Sequence, residues 1–539
     1  MTVTAPHRFR GIFRQDLDAR AVYSESAGVH RIDPVAVAVP ADADDLGPLV
    51  EWARSEGATL IPRGAGSSMA GAATGPGVIV DLSRWKDVDA SELEGNRLTA
   101  GPGAICHEIE ALAQSARRRF PVNPSSSGFC TIGGMAATNA AGAYSLAFGS
   151  MRDWVTGIEC LFADGSRTWV RRGEQSASAP PIVALSALLA DPGMANAFTS
   201  AAHPGVRKDS SGYAASLFAK SGDAVDLLVG SEGTLAFFTR IELRLALAPA
   251  GAASVMGVFP SLASATEAAI RAREAGAVAC ELLDRTFLEF VATASARAID
   301  ATSEAILLAD AEGATMADAY DGAMTIAAAF SRAGASETRL ATAPEEREAL
   351  WSLRHAASPT LARLSANLRS MQIIEDGAVP PERLGEYVAG VRSALNRQEI
   401  RGVIFGHAGD AHVHVNALVD VQAPEWRRKL DELLGEVTGL VASLGGTLSG
   451  EHGDGRLRTP LLDRVWGSES LAAFAAVKRA FDPQGVLNRG VKTGAVGGAL
   501  PIKYDPSLPP LPERAARALH DVEDLRAYSS FRLDLLGRT

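Results

Sequence analysis

Short apolar runs bounded by glycine, proline or aspartate set the rhythm of this chain, and between them lie stretches with apolar residues at helical spacing. Residues 1–30 read as a polar, helical lead-in. From Ile32 the pattern predicts a strand at Ala36–Val39, a helix from Ala43 to Glu56 and a strand at Thr59–Pro62. Gly77–Leu82 and Leu98–Gly101 read as further strands, and Ile105–Arg118 as a helix, which together make a small α/β unit. Val155–Phe162 and Arg167–Val170, joined through Asp164-Gly165, read as a hairpin. Residues 173–205 read as an excursion from the sheet. Leu227-Leu228-Val229 then leads into Gly230–Leu235 and the alternating strand Phe237–Leu245, with a domain boundary expected at Pro249-Ala250-Gly251.

The second half predicts strands at Ser254–Val258, Ala277–Leu282, Ala305–Asp310, Met371–Ile374, Val403–Phe405 and His412–Leu418. Helices are expected near 261–274, 285–297, 316–332, 344–355, 380–397 and 424–443. This order suggests a ferredoxin-like α+β sheet, doubled. After Phe481-Asp482-Pro483 the chain becomes coil-rich and ends in a proline-containing tail with one helix near 511–526. The expected partition is a lead-in at 1–30, a first domain at 31–249, a second at 250–470, a return to the first at 471–499 and a tail at 500–539.

Two stretches break the alternation. Pro121–Gly142 is nearly all small residues, with four glycines, hydroxyls at Ser125, Ser126, Ser127, Thr131 and Thr138, and no charge. Such a run packs poorly as core but offers bare backbone N–H groups to an anion. A second run, Arg63-Gly64-Ala65-Gly66-Ser67-Ser68, follows the apolar Leu60-Ile61-Pro62. Either alone is explained equally by a tight turn. Two, each leaving a strand, fit the extended diphosphate of a dinucleotide.

At 539 residues two or three domains are expected. The formal net charge of −11 argues against nucleic acid as a partner. The four cysteines are scattered and never occur as C-x-x-C, which excludes an iron–sulphur cluster or a cysteine-rich zinc site carried by this chain. No leader-like apolar segment opens the sequence and no run of ~18 apolar residues is present, so it reads as cytoplasmic, with peripheral attachment to the inner face of a membrane left open.

Of ten histidines, three fall within Gly406–Asn416. On a strand His412, His414 and Asn416 would share a face. Ser449-Gly450-Glu451-His452-Gly453-Asp454-Gly455 adds an acid and an imidazole in a glycine-flanked loop. Clustered histidines with one carboxylate form the ligand set of an open catalytic divalent-metal site. The alternative is a set of surface hairpin residues.

Six motifs in order carry a family resemblance: Ile61–Ser68, Thr131-Ile132-Gly133-Gly134, Gly230–Leu235, Gly406–His414, Ser449–Arg456 and Phe481–Asn488. They resemble the FAD-linked 2-hydroxy-acid dehydrogenases, the D-lactate dehydrogenase, glycolate oxidase and D-2-hydroxyglutarate dehydrogenase group with the vanillyl-alcohol-oxidase-type fold. The resemblance covers roughly residues 30–495. It implies a two-part α/β FAD-binding domain and a ferredoxin-like α+β cap. Arg63, Gly64, Ala65, Gly66, Ser67 and Ser68, with Pro124, Ser125, Ser126, Thr131, Ile132, Gly133, Gly134, Asn139 and Gly142, would hold the FAD diphosphate. Glu232, Gly233 and Leu235 would lie along its adenine or ribose side, and Asn488 would also contact the cofactor. His407, His414 and Glu451 match metal ligands for zinc, with manganese or iron as alternatives. His452 matches the catalytic base, Arg354 a substrate-carboxylate contact and Asn416 a flavin or substrate contact. Gly64–Ser68 contains neither His nor Cys, which implies non-covalent FAD.

The chain departs from the family's G-D-G-N wording at Ala411 and His412, so His412 would add a ligand or crowd the substrate. Its wording around Arg207-Lys208 and Ile374–Leu384 resembles a bacterial branch often fused to an iron–sulphur region, which this chain lacks. The implied reaction is oxidation of a D-2-hydroxy acid, D-2-hydroxyglutarate first, then D-lactate or glycolate, with Arg456 and Arg458 as candidates for a second carboxylate. The implied electron acceptor is a quinone, an electron-transfer flavoprotein or an iron–sulphur partner; a homodimer is left open. Rival readings are a non-redox flavoenzyme of the alkylglycerone-phosphate-synthase type, whose run of consecutive histidines is absent, and a non-catalytic flavoprotein subunit.

Overall fold

Strands Ala36–Val39, Leu60–Arg63 and Val78–Asp81 are apolar on both faces, and so both faces have to be covered. The computed structural model, which describes residues 4–174, 179–295, 303–355, 364, 367–494 and 501–537, shows how. Ala36, Ala38, Leu60, Val78 and Val80 pack with Leu46, Leu49 and Val50 of helix Leu46–Glu56 and with Leu161, Phe237 and Leu487. Val37, Val39, Ile61 and Ile79 pack with Val22 and Tyr23 and with Ala515, Leu519 and Val522 near the C-terminus. The sheet runs Ile12–Arg14, Ala36–Val39, Val78–Asp81, Leu60–Arg63, parallel except for the first pair.

A five-stranded antiparallel sheet follows, in the order Val88–Asp89, Arg97–Ala100, Ala236–Arg244, Val155–Phe162, Arg167–Arg171. Alternation splits its strand Val155–Phe162: Ile158, Cys160 and Phe162 face a core shared with Ile109, Phe474 and Val477, while Leu161 faces the first sheet. The third sheet has seven antiparallel strands in the order Glu337–Ala341, Gly251–Phe259, Ala305–Gly313, Ala279–Asp284, Arg401–Gly406, His414–Asp420, Leu368–Met371. Helices Leu262–Glu274, Met316–Arg332, Leu384–Arg397 and Trp426–Ser443 cover one of its faces. Phe287, Leu288 and Leu350 cover the other. All four cysteines are buried and unpaired. Among the described residues no single helix is long and apolar enough to cross a membrane.

Several boundaries differ from expectation. The lead-in contains an edge strand, Ile12–Arg14, and only a six-residue helix, Leu17–Val22, capped by Asp16. Leu227 and Leu228 lie in a helical turn, Val225–Leu228. Glu337–Ala341 pairs with Gly251–Phe259 at the sheet edge, where its exposed polar residues hid it from a pattern search. Strand pairing begins at His414 and not His412, because Ala411 takes a left-handed φ of 54° and turns the chain first. The excursion at 173–205 holds two short helices, Pro180–Leu188 and Pro192–Ser200. The tail helix spans Glu513–Asp524, and the boundary expected between 499 and 500 lies outside the described residues.

Candidate active site

The first glycine-rich turn begins where strand Leu60–Arg63 ends, and it is held by its carbonyls. Arg63 O accepts from Leu82 N at 2.8 Å and Gly66 O from Ala27 N at 3.0 Å. A carbonyl pinned on one side of a planar peptide turns the next N–H to the opposite side, and the N–H groups of Gly64 and Ser67 therefore face away from these anchors. Gly66 takes φ 71°, where a side chain is strained, and a Cβ there would lie 2.4 Å from the Arg63 guanidinium. The second run meets the first: a Cβ on Gly64 would lie 2.2 Å from Thr131 Oγ1. That hydroxyl caps helix Ile132–Thr138, accepting from Gly134 N at 3.3 Å.

Both loops border one cleft of about 1120 Å³ that continues to the histidine cluster. Of the sequence-predicted dinucleotide residues, Arg63–Ser68, Pro124, Ser125, Ser126, Thr131, Gly133, Gly134, Gly142, Glu232 and Gly233 line it. The Ser68 hydroxyl is buried there with no partner among the described residues, an orphan that a phosphate oxygen would satisfy. Ile132, Asn139, Leu235 and Asn488 lie behind the wall, which corrects their expected contact with a cofactor. Asn139 accepts from Arg152 N, and Asn488 donates to the carbonyls of Ala72 and Glu232, so both act as internal braces.

Three charged predictions are also corrected. The Arg63 guanidinium donates to the carbonyls of Tyr23, Glu25 and Ala73 and so supports the turn from beneath. The Glu232 carboxylate accepts from the N–H groups of Asp454 and Gly455 at 2.8 and 2.9 Å and pairs with Lys492 at 3.0 Å, which leaves it no free oxygen for a ribose. Arg456 spends its donors on Thr74 O, Arg489 O and Asn488 Oδ1, and Arg458 on Gly453 O and Glu375 Oε1; neither lines the cleft.

At the far end, Nε2 of His407 lies 3.1 Å and Nε2 of His414 3.4 Å from Glu451 Oε1. The opposite ring nitrogens are occupied: His407 Nδ1 is 2.5 Å from Glu281 Oε1 and His414 Nδ1 is 2.9 Å from Glu375 O. An acceptor behind each ring places the proton on Nδ1 and leaves the Nε2 lone pair facing inward, the arrangement a metal-binding histidine needs. Lys208 Nζ takes the other oxygen, Glu451 Oε2, at 2.6 Å. Burial works against the charge on Glu451, yet Lys208 and His407 hold its carboxyl well below the usual range. His412 joins this group, whose donor atoms lie within 4.8 Å of one another. Burial and Lys208 lower its pKa to about 3, so its neutral ring donates through Nε2 to Asp376 at 2.9 Å, and Nδ1 has no partner among the described residues. Four buried carboxylates (Glu281, Glu375, Asp376, Glu451) are paired with the fixed cations Lys208, Arg354 and Arg458 and with His452.

His452 stacks on His414 with ring centroids 5.2 Å apart, and its Nδ1 lies 3.0 Å from Glu375 Oε1. Burial lowers its pKa, but Asp376 and Glu375 outweigh this and raise it to about 9. Arg354 donates through Nε to Glu281 at 2.6 Å and lies over the Phe405 ring, so its terminal fork is aimed from a fixed base along the cleft. Asn416 lines the cleft on the strand that carries His414. Sequence reasoning missed Glu281, Glu375 and Lys208. A glutamate inside the apolar strand Ala279–Asp284 was the available signal, since a charge there requires a partner.

Two sheets with glycine-rich loops between them, a long cleft and a carboxylate–imidazole cluster at its end define a dinucleotide-dependent oxidoreductase. The fold matches 4-ethylphenol oxidase from Gulosibacter chungangensis with a TM-score of 0.66 at 15% identity, covering 89% of this chain and 94% of that one. Residues 34–171 match the FAD binding domain family and 248–491 the C-terminal domain of FAD linked oxidases. Glycolate oxidase subunit GlcD of Bacillus subtilis is 26% identical, over 87% of this chain and 92% of its own. The D-lactate dehydrogenase of Archaeoglobus fulgidus is 26% identical, over 84% and 90%. D-2-hydroxyglutarate dehydrogenase of Pseudomonas putida is 26% identical over 92% of this chain and 52% of that longer protein. The chain belongs to the FAD-linked 2-hydroxy-acid dehydrogenase family.

Proposed function

We propose that the protein oxidises a D-2-hydroxy acid bearing a second acidic group, D-2-hydroxyglutarate before D-lactate or glycolate, with non-covalent FAD and a divalent ion, zinc before manganese or iron. The observation that carries this reading is the convergence of His407, His414, Glu451, His452 and Arg354 on the cleft that the glycine-rich loops border. His407, His414 and Glu451 would hold the ion, with His412 Nδ1 as a fourth donor. When bound, FAD would supply the hydride acceptor and the ion would lower the pKa of the α-hydroxyl. Arg354 grips the α-carboxylate through its terminal fork, and Glu281 keeps that fork from rotating. His452 would take the hydroxyl proton at Nε2 in the neutral form of its ring, which a pKa of about 9 places on the alkaline side, while Glu375 holds Nδ1–H.

With Arg456 and Arg458 turned away, the cation for a second acidic group is Arg369. It lies on the edge strand Leu368–Met371, lines the cleft over the Tyr504 ring and has no ion pair among the described residues. Anaerobic flavin bleaching against a panel of 2-hydroxy acids tests this. D-2-hydroxyglutarate should bleach the flavin faster than D-lactate or glycolate, and Arg369→Met should narrow the gap about tenfold or more by slowing the diacid alone. Faster bleaching by the monocarboxylates would remove the diacid reading. Chelation should abolish turnover and leave the flavin spectrum intact. Full activity in a metal-free sample would remove the ion. The reduced flavin would pass its electrons to a quinone, an electron-transfer flavoprotein or an iron–sulphur protein.

A further inference from the structure

The described stretch 501–537 lies outside both matched families, yet it forms one side of the cleft, where Tyr504, His520, Arg526 and Tyr528 line it. Its helix Glu513–Asp524 seats on the outer face of the first sheet, and from there the chain reaches both glycine-rich loops. Tyr528 stacks on Phe129 of the second loop, with ring centroids 5.1 Å apart and planes at 30°. Arg532 is 3% exposed, lies over the Tyr528 ring, and donates through Nη2 to Ala65 O of the first loop at 3.4 Å. Its Nε and Nη1 have no partner among the described residues. Ala65 O is one of the two carbonyls between those already pinned by Leu82 and Ala27. Holding it from behind turns the Gly66 N–H to the opposite side of the peptide plane, and Gly66 lines the cleft. The same segment thus touches the two loops that must keep a fixed separation to grip one diphosphate.

We propose that residues 511–537 are a working part of the dinucleotide site: Arg532 and Tyr528 are positioning residues that set the two loops in the spacing a diphosphate requires. This rests on the reading that the loops hold FAD. The test uses full-length apoprotein, FAD and FMN, with affinity read from quenching of flavin fluorescence and stability from thermal melting without flavin. FMN lacks the second phosphate and the adenosine, so the FAD-to-FMN affinity ratio reports the diphosphate grip separately from the fold. Arg532→Met and Tyr528→Leu should each lower that ratio about tenfold. Arg532→Lys, which keeps a donor, and Tyr528→Phe, which keeps the stack, should restore most of it. An unchanged ratio in both disruptive variants, whatever happens to the melting temperature, would reduce the segment to a structural cover. Wild-type protein that binds FAD no better than FMN would instead overturn the diphosphate reading itself.

Discussion

A neutral imidazole buried among cations makes His30 a point of acid weakness. It is 5% exposed, bridges to Ile502 in the C-terminal segment, and has no partner at Nδ1 among the described residues. Burial and then Arg427 lower its pKa to about 4. The folded pKa is depressed below the unfolded value near 6.5, so the unfolded chain binds the proton more tightly. The associated stability is fully present above pH 6.5, declines as pH falls, and is lost by about pH 4. The interval corresponds to about 3 kcal/mol. Denaturant titrations at pH 7 and pH 5 should differ by about 2 kcal/mol on this account, and His30→Phe should flatten most of that difference. An equal slope with pH in the variant would assign the acid loss to other groups.

At the scale of elements, the contact between the two loops matters more than either loop alone. Gly64 leaves no room for a side chain because Thr131 Oγ1 fills the space, and the same hydroxyl caps the helix behind it. Gly64→Ala should therefore abolish FAD retention on gel filtration. Thr131→Ala alone should weaken retention moderately, through a lost cap of about 1 kcal/mol. Combining the two should recover part of the binding lost in Gly64→Ala, since Cβ–Cβ contact at the site is looser than Cβ–Oγ; a fully additive loss would show that the crowding lies elsewhere. Both loops were legible in the sequence, because glycine and hydroxyl composition announces close backbone approach. So were the histidines, whose turn glycines imply a shaped loop. What the sequence withheld was direction. Arg456 and Arg458 stand beside the Ser449–Gly455 loop in the sequence, but a four-residue helix, Gly455–Arg458, points both inward onto carbonyls and Glu375. The Arg63 guanidinium likewise turns onto backbone carbonyls, although the residue lines the cleft. The tail read as an appendage because its amphipathic helix gives no hint of the sheet some hundreds of residues upstream on which it packs.

The whole molecule assembles its cleft from parts far apart in the chain: Gly64, Thr131, Arg354, His407, Glu451 and Tyr528 all face it. The cysteines acquire a use from this arrangement. All four are buried, so the outer surface offers no thiol to a reagent. Cys130, at 4% exposure, is the one that lines the cleft, between Phe129 and Thr131. The neighbouring Cys106 side chain lowers its pKa against the effect of burial, which favours the reactive thiolate. Flavin-free protein should therefore consume one equivalent of a small disulfide reagent, at Cys130, and saturation with FAD should slow that reaction severalfold. Cys130→Ser should abolish it, and a rate indifferent to FAD would mean that the cofactor does not pass over this part of the wall. The native chain thus contains its own occupancy gauge, a single chemical handle whose accessibility reads out how much of a preparation is loaded without relying on colour or turnover.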